Sequence, residues 1–230
     1  MRKIRILVAI MVITAGVISF SSQFSTEPTK AFGQSRSKVL MIPREGYSGD
    51  LDFMITMEVG VMTILLKRGG FELDVATTSG RPILGQTQKI EKVLKLSEVN
   101  VNDYVGVIMP CMAVGLFPGP PVSPEAVVVV KEALADSKPV AAALGSAIIL
   151  AEAGVLKGRK YAFVRDPLKT TERYKTTDPR FVGAIYSGPG VVQDGKIITS
   201  GACPYIEKHW ALQNGTVELT NKFIAAIGPK

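Results

Sequence analysis

The stretch KPVAAALGSAIILAEAGVLKGRK, residues 138–160, decides the fold. It opens with an apolar run over 140–144, short and bounded by Pro139. A small-residue turn follows, Gly145-Ser146-Ala147, and then an apolar segment with helical spacing. That segment ends at Gly154, a residue suited to a left-handed helix C-cap. Strand, sharp turn and helix make the geometry of a nucleophile elbow, in which the turn lifts one side chain to the top of a buried parallel sheet. The same pattern also serves any strand–helix unit of an α/β domain, so by itself it speaks for architecture more than for chemistry.

The residues go further. PVAA, a turn, a helix and then AGVLKGRK resembles the ThiJ/PfpI family (Parkinsonism-associated deglycase-like), whose fold is of the class I glutamine amidotransferase type. In that family the turn usually reads Cys-His-Gly, with the Cys as nucleophile. Counted back from Ala153-Gly154-Val155-Leu156, the nucleophile position falls on Leu144, the His position on Gly145 and the Gly position on Ser146. A leucine has no lone pair to attack with and no proton to lose. The resemblance therefore implies an elbow whose chemistry is missing.

Working outward, the 230-residue chain is 47% hydrophobic, enough for one domain with a sizeable core. Its formal charge is +7, of which Arg2, Lys3 and Arg5 supply three, leaving about +4 for the rest. The remaining cations are scattered among Asp and Glu with no basic stripe, so no nucleic-acid partner is expected. Those first cations precede an almost wholly apolar run over 6–20, short for a membrane span and right for a secretory core segment. Residues 1–33 are read as a signal peptide or signal anchor plus tether, and 38–228 as the domain. Export to a periplasmic or extracellular space is expected, with membrane contact only through the N-terminal segment.

Along the domain, 39–43 reads as a strand, followed by a helix from about Leu51 with Phe53, Met57, Val61, Ile64 and Leu65 as its packing face and Gly69-Gly70 as its stop. Residues 71–77 alternate as a second strand. Measured back from Gly70, Glu58 falls where the family places an acidic residue under the nucleophile. There it would tune the thiol; alternatively it is a solvated helix carboxylate. Residues 80–103 read as irregular with a short helix or ribbon at 89–96, and 104–110 as the third core strand. The family strand it resembles ends in Pro-Gly-Gly, a loop whose N–H groups form part of an oxyanion hole. Here Pro110-Cys111-Met112 stands instead, and side chains at both glycine positions would crowd that pocket.

A proline-rich loop over 115–122 leads to a helix capped by Ser123 with Pro124 at its first position, packing through Ala126, Val129, Val130 and Ala133. Beyond the elbow, 161–164 reads as a strand and 165–178 as a charged loop or short surface helix. Residues 181–200 resemble the family's closing hairpin, with Asp194-Gly195 as its two-residue turn. One last helix is expected over 205–227, with an irregularity at Asn214-Gly215.

Only two cysteines occur, Cys111 and Cys203. The resemblance sets both at the carboxyl end of the sheet, around the former catalytic pocket, and a disulfide between them is one expectation. Closing a loop of about ninety residues would contribute on the order of 4 kcal/mol. Two buried thiols, or one thiol acting as a displaced nucleophile, are the others. The single histidine, His209, reads as a surface helix residue and Trp210 as a packing residue. No metal or cofactor is expected.

The expected fold is an α/β three-layer sandwich, a mostly parallel sheet with helices on both faces. The resemblance implies a homodimer. Its leading functional reading is a non-catalytic small-molecule-binding or assembly module, with a pocket of Glu58, Cys111, Met112, Leu144, Gly145 and Cys203. An enzyme of altered chemistry, a hydrolase, deglycase or lyase using Glu58 with Cys111 or Ser146, is the alternative. A stress-related holdase is a third.

Overall fold

The computed structural model describes residues 37–43, 51–111, 122–172 and 174–228. Residues 1–33, expected as a signal segment and tether, Met112 and the proline-rich stretch up to residue 121 lie outside the described residues. Strand β1 (Lys38–Met41) is buried from Val39 onward. One continuous helical rod follows, made of α1 (Leu51–Met54), a π-helical stretch (Ile55–Gly60) and α2 (Val61–Arg68). It stops where expected: Gly70 adopts a φ of 81°, and the Gly70 and Phe71 N–H groups donate back to the Lys67 and Leu66 carbonyls.

The buried face of that rod differs from the one expected. Met54, Glu58, Met62 and Leu66 point inward, together with Ile55 and Val59, whereas Met57 and Ile64 are 43% and 52% exposed. A π turn holds more residues than an α turn. This one keeps the inward row at strict four-residue spacing, which an ideal helix would carry around its axis. The rod thus has two apolar stripes, and the more conspicuous one in the sequence is the outer one.

After β2 (Glu72–Thr77), the chain makes a small antiparallel hairpin, β3 (Ile83–Leu84) with β4 (Lys89–Ile90), and a two-residue strand β5 (Leu94–Lys95) beside β2. The hairpin is tied to α1 by Asp52, whose carboxylate accepts the Thr87 and Gln88 N–H groups at 2.8 and 3.0 Å. Strand β6 (Tyr104–Met109) leads to α3 (Pro124–Ala135), where the Ser123 hydroxyl accepts the Ala126 N–H at 3.2 Å. Its buried side is Ala126, Val129, Val130 and Ala133, as read from the sequence. The elbow follows as β7 (Val140–Ala143), a 3-10 turn (Leu144–Ser146) and α4 (Ala147–Glu152). Gly154, with a φ of 72°, closes α4 with the same double back-bond as Gly70.

Three later expectations change. Strand β8 is only Lys160–Tyr161 and pairs with β9 (Ile185–Tyr186) outside the main sheet, because the Ala162 N–H turns to the Thr199 hydroxyl. In the hairpin of β10 (Val191–Asp194) and β11 (Ile197–Ser200), Asp194 pairs with Ile197, so Gly195-Lys196 is the turn. The Asp194 carboxylate instead accepts the Lys160 N–H at 2.8 Å and the Arg159 guanidinium at 3.2 Å. The last helix is two, α5 (Pro204–Trp210) and α6 (Thr216–Ile227). Ala211 enters the left-handed region at a φ of 53°, and Asn214 accepts the Thr216 N–H to start the second.

The seven-stranded sheet has the order β10-β11-β7-β6-β1-β2-β5, with all pairs parallel except β10–β11. Helices α2 and α6 pack together on one side, α3 and α4 on the other. This is the expected three-layer α/β sandwich. No helix among the described residues is long and apolar enough to cross a membrane.

Gly106 in β6 has the ring of Phe223 from α6 directly over it. A Cβ there would sit 2.8 Å from that ring and 3.0 Å from the Pro139 carbonyl. Gly106→Ala is expected to destabilise the protein by about 1–3 kcal/mol. Adding Phe223→Leu should make the alanine less costly than it is beside Phe223. Urea unfolding of the four-member cycle checks this, and additive effects would contradict the contact.

Candidate functional site

At the carboxyl end of β7 the chain turns so sharply that Leu144 has a φ of 37°. For a side chain larger than glycine that conformation is unfavourable by about 1–2 kcal/mol. Surroundings must hold it there. The Ser146 hydroxyl donates to the Pro110 carbonyl at 2.8 Å, pinning the turn to the end of β6. Leu144, Gly145 and Ser146 are all buried. The elbow geometry is therefore fully formed, with an apolar side chain at its apex.

Beside the elbow lies Glu58, on the π-helical stretch and 0% exposed. It is not a solvated carboxylate: its Oε1 accepts the Cys111 backbone N–H at 3.0 Å. A buried carboxyl group without such a donor would be strongly unfavourable. Cys111 follows β6 by two residues, and Cys203 follows β11 by three. Both side chains are buried and neither is disulfide-bonded. Their thiols share a hydrogen bond. That bond, then burial, then the charge of Cys111 and Glu58, hold the Cys203 thiol protonated far above the ordinary range.

Residues 38–212 match the family model described as the DJ-1/PfpI family. The chain belongs to the DJ-1/PfpI family. An uncharacterized protein of Methanocaldococcus jannaschii is 30% identical over 200 residues, covering 86% of this chain and 90% of its own. Among solved structures, Francisella tularensis Rapid Encystment Protein 24 KDa superposes with a TM-score of 0.60 at 15% identity, over 84% of this chain and all of its own. Drosophila melanogaster DJ-1beta gives 0.54 at 20% identity, over 84% and 92%. At those identities the structural likeness speaks for the fold alone.

As a DJ-1/PfpI-family site, the arrangement keeps the acidic residue that the resemblance places under the elbow, Glu58, and carries Leu144 at the apex and Cys111 in the oxyanion loop. Leu144 supplies no nucleophile. The Cys111 N–H, at the first glycine position of the oxyanion loop, is engaged by Glu58. The Ser146 hydroxyl donates to a carbonyl and is a positioning group. Of the residues singled out from the sequence, the structure gathers Glu58, Cys111 and Cys203 into one cluster and keeps Leu144 and Gly145 in the elbow turn tied to it. Met112 lies outside the described residues. His209 is on the exposed side of α5, its ring 4.3 Å from Tyr205, and Trp210 lies against Tyr174. No group of three or more ligating side chains among the described residues could hold a metal ion.

Two contributors escaped sequence reading. The Ser200 hydroxyl donates to the Ala202 carbonyl at 2.8 Å, and the Gly215 N–H donates to the same oxygen at 3.1 Å. Together they set the loop that presents Cys203. The signal for Gly215 was in the Asn214-Gly215 irregularity: a Cβ there would strike the Ser200 hydroxyl.

The strain at the apex is measurable. Leu144→Ala and Leu144→Gly both empty the same space, but only glycine relieves the backbone. Leu144→Gly is expected to be the more stable of the two by about 1 kcal/mol, the reverse of the order in an ordinary helix or strand. Thermal or urea unfolding of the pair checks it, and alanine as the more stable variant would deny the strain.

Proposed function

We propose that this protein is an exported member of the DJ-1/PfpI family that lacks the elbow nucleophile and serves as a non-catalytic small-molecule-binding or assembly module. The observation that carries this reading is Leu144 at the apex of an otherwise formed elbow. The engagement of the Cys111 N–H by Glu58 supports it, because a developing oxyanion would have to displace a carboxylate from its donor. A ligand site suits the crevice where β1 and β6 run side by side and the strand order reverses.

The alternative is an enzyme of altered chemistry, favoured by the proximity of Glu58 to Cys111. The two separate cleanly. Purified protein is expected to turn over activated esters, peptide amides and glycated amines no faster than a Glu58→Gln variant of the same fold. Turnover that disappears in Glu58→Gln, with unchanged circular dichroism, would establish the enzyme and overturn the module.

Assembly would run through the outer stripe of the helical rod as a homodimer. Phe53, Met57, Val61 and Ile64 line that stripe, and Met57 and Ile64 are the most exposed of them. Large exposed apolar side chains aligned on one helix face are more informative than scattered ones. Met57→Asp with Ile64→Asp is expected to convert a dimer into a folded monomer in light scattering. A wild-type monomer, or a dimer indifferent to both charges, would rule this surface out.

A further inference from the structure

Read along the whole chain the cations look scattered, yet residues 151–186 hold eight Lys and Arg against four Asp and Glu. The rest of the chain from residue 37 carries fourteen cations and fifteen anions. One span therefore supplies the whole positive surplus of the domain, an asymmetry that bears on partners more than on fold. That span builds β8, β9 and the segments between them, outside the main sheet and beside β10. Three of its four carboxylates are already engaged. Asp178 and Glu152 lie 2.6 and 3.8 Å from the Arg180 guanidinium, and Asp166 lies 3.8 Å from the Lys169 ammonium. Within the span the turn Lys157-Gly158-Arg159-Lys160 is fixed against residues 182–185 by two backbone bonds. The Gly158 N–H donates to the Gly183 carbonyl at 2.7 Å, and the Ile185 N–H to the Arg159 carbonyl at 2.9 Å. Lys160 stands beside Ile185 in the β8–β9 pair, and Tyr161 beside Tyr186. Tyr161 is buried, so strand alternation sends Lys160 and Ile185 outward together. The Lys157 side chain runs past Gly183, next to Val182. Val182 and Ile185 are 59% and 48% exposed. Among the described residues neither Lys157 nor Lys160 is ion-paired, while Arg159 meets Asp194 at 3.2 Å. Cations on a turn are by themselves an ordinary solvated surface. Two branched apolar side chains set among them make this one amphipathic.

We propose that this flank docks on an anionic phospholipid surface, with Lys157, Arg159 and Lys160 at the lipid phosphates and Val182 and Ile185 entering the boundary between headgroups and acyl chains. Long lysine stems let the ammonium groups stay at the phosphates while the apolar groups go deeper. Anionic headgroups complement the surplus charge of the span, and the attraction acts within a Debye length of the surface. An acidic protein could meet the same charges, but a bilayer is nearer to hand. The apolar run over 6–20 reads as a membrane-directed segment, and sixteen residues separate it from Ser37. Only that proximity rests on the export reading; the docking face depends neither on it nor on an inert elbow. The contact is a second one, beyond the N-terminal contact expected from the sequence.

The test sediments the full-length protein with vesicles of phosphatidylcholine, with and without phosphatidylglycerol, at low and at physiological salt. Every protein compared keeps the same N-terminal segment, so the affinity of that segment is common to all. Lys157→Gln with Lys160→Gln is expected to lower partitioning onto the phosphatidylglycerol vesicles roughly twentyfold at low salt, and to change nothing on phosphatidylcholine alone. That loss should shrink as salt rises, whereas the several-fold loss from Val182→Ser with Ile185→Ser should persist. Lys92→Gln with Lys131→Gln removes the same charge from exposed sites elsewhere and should bind close to the wild-type level. Circular dichroism checks that each variant is folded. Equal losses in the two lysine pairs would mean attraction by net charge alone and would overturn the docking face. Wild-type protein that sediments no better with phosphatidylglycerol than without it would exclude the lipid surface and leave the flank to an acidic protein. Because the readout is vesicle binding, either failure leaves the reading of the elbow where it stands.

Discussion

A single buried hydrogen bond, Glu58 to the Cys111 N–H at 3.0 Å, joins the first helical rod to the end of the third core strand. A carboxylate with no exposed surface is tolerable only where donors replace its water. Meeting that condition fixes the rotation of the rod, and the rotation decides which stripe faces the sheet. It also draws the Cys111 backbone toward the helix, leaving the thiol to meet Cys203. The Ser146–Pro110 bond, one residue away, then sets the elbow against the same strand end. Helix phase, elbow position and thiol pairing form one connected polar network beneath the sheet's carboxyl edge. Such networks are stabilising only when every member is satisfied.

Much of this could be read from the chain. The strand–turn–helix of 138–160, the Ser123 cap, the inward face of α3 and the glycine stops at Gly70 and Gly154 all follow from local rules that tertiary packing leaves alone. What escaped reading involved long-range partners. The phase of the first rod depended on a π turn at Glu58, which no periodicity count reveals. Asp194 reads as a turn residue, but Lys160 and Arg159 hold its carboxylate and shift the turn by one. The split between α5 and α6 rests on Ala211 in a left-handed conformation, which alanine does not advertise. The candidate site was legible in its membership; the residues that position it, Ser200 and Gly215, were not.

The elbow separates two things that family membership usually joins. Backbone geometry at Leu144 is kept at an energetic cost, although the side chain performs no reaction a nucleophile would. Strained positions persist where surroundings over-determine them, and here the buried 3-10 turn and the Ser146 bond do so. The fold of the DJ-1/PfpI family is held here by the sheet, the caps and the core, with a leucine at the elbow apex. Function has to be argued from the groups that remain.

The edges of the sheet bear on how copies of the chain can meet. At one side β5 offers two residues, and at the other β10 is a four-residue strand turned antiparallel, with Asp194 tied to a neighbouring segment. Neither presents a long ladder of unpaired backbone groups, so growth by adding strand to strand is disfavoured. Association is left to side-chain surfaces on the helices. A helix face that meets its own copy across a twofold axis closes after two subunits, whereas an open strand edge has no natural end. The shortness of two small strands thus biases the molecule toward finite particles over filaments.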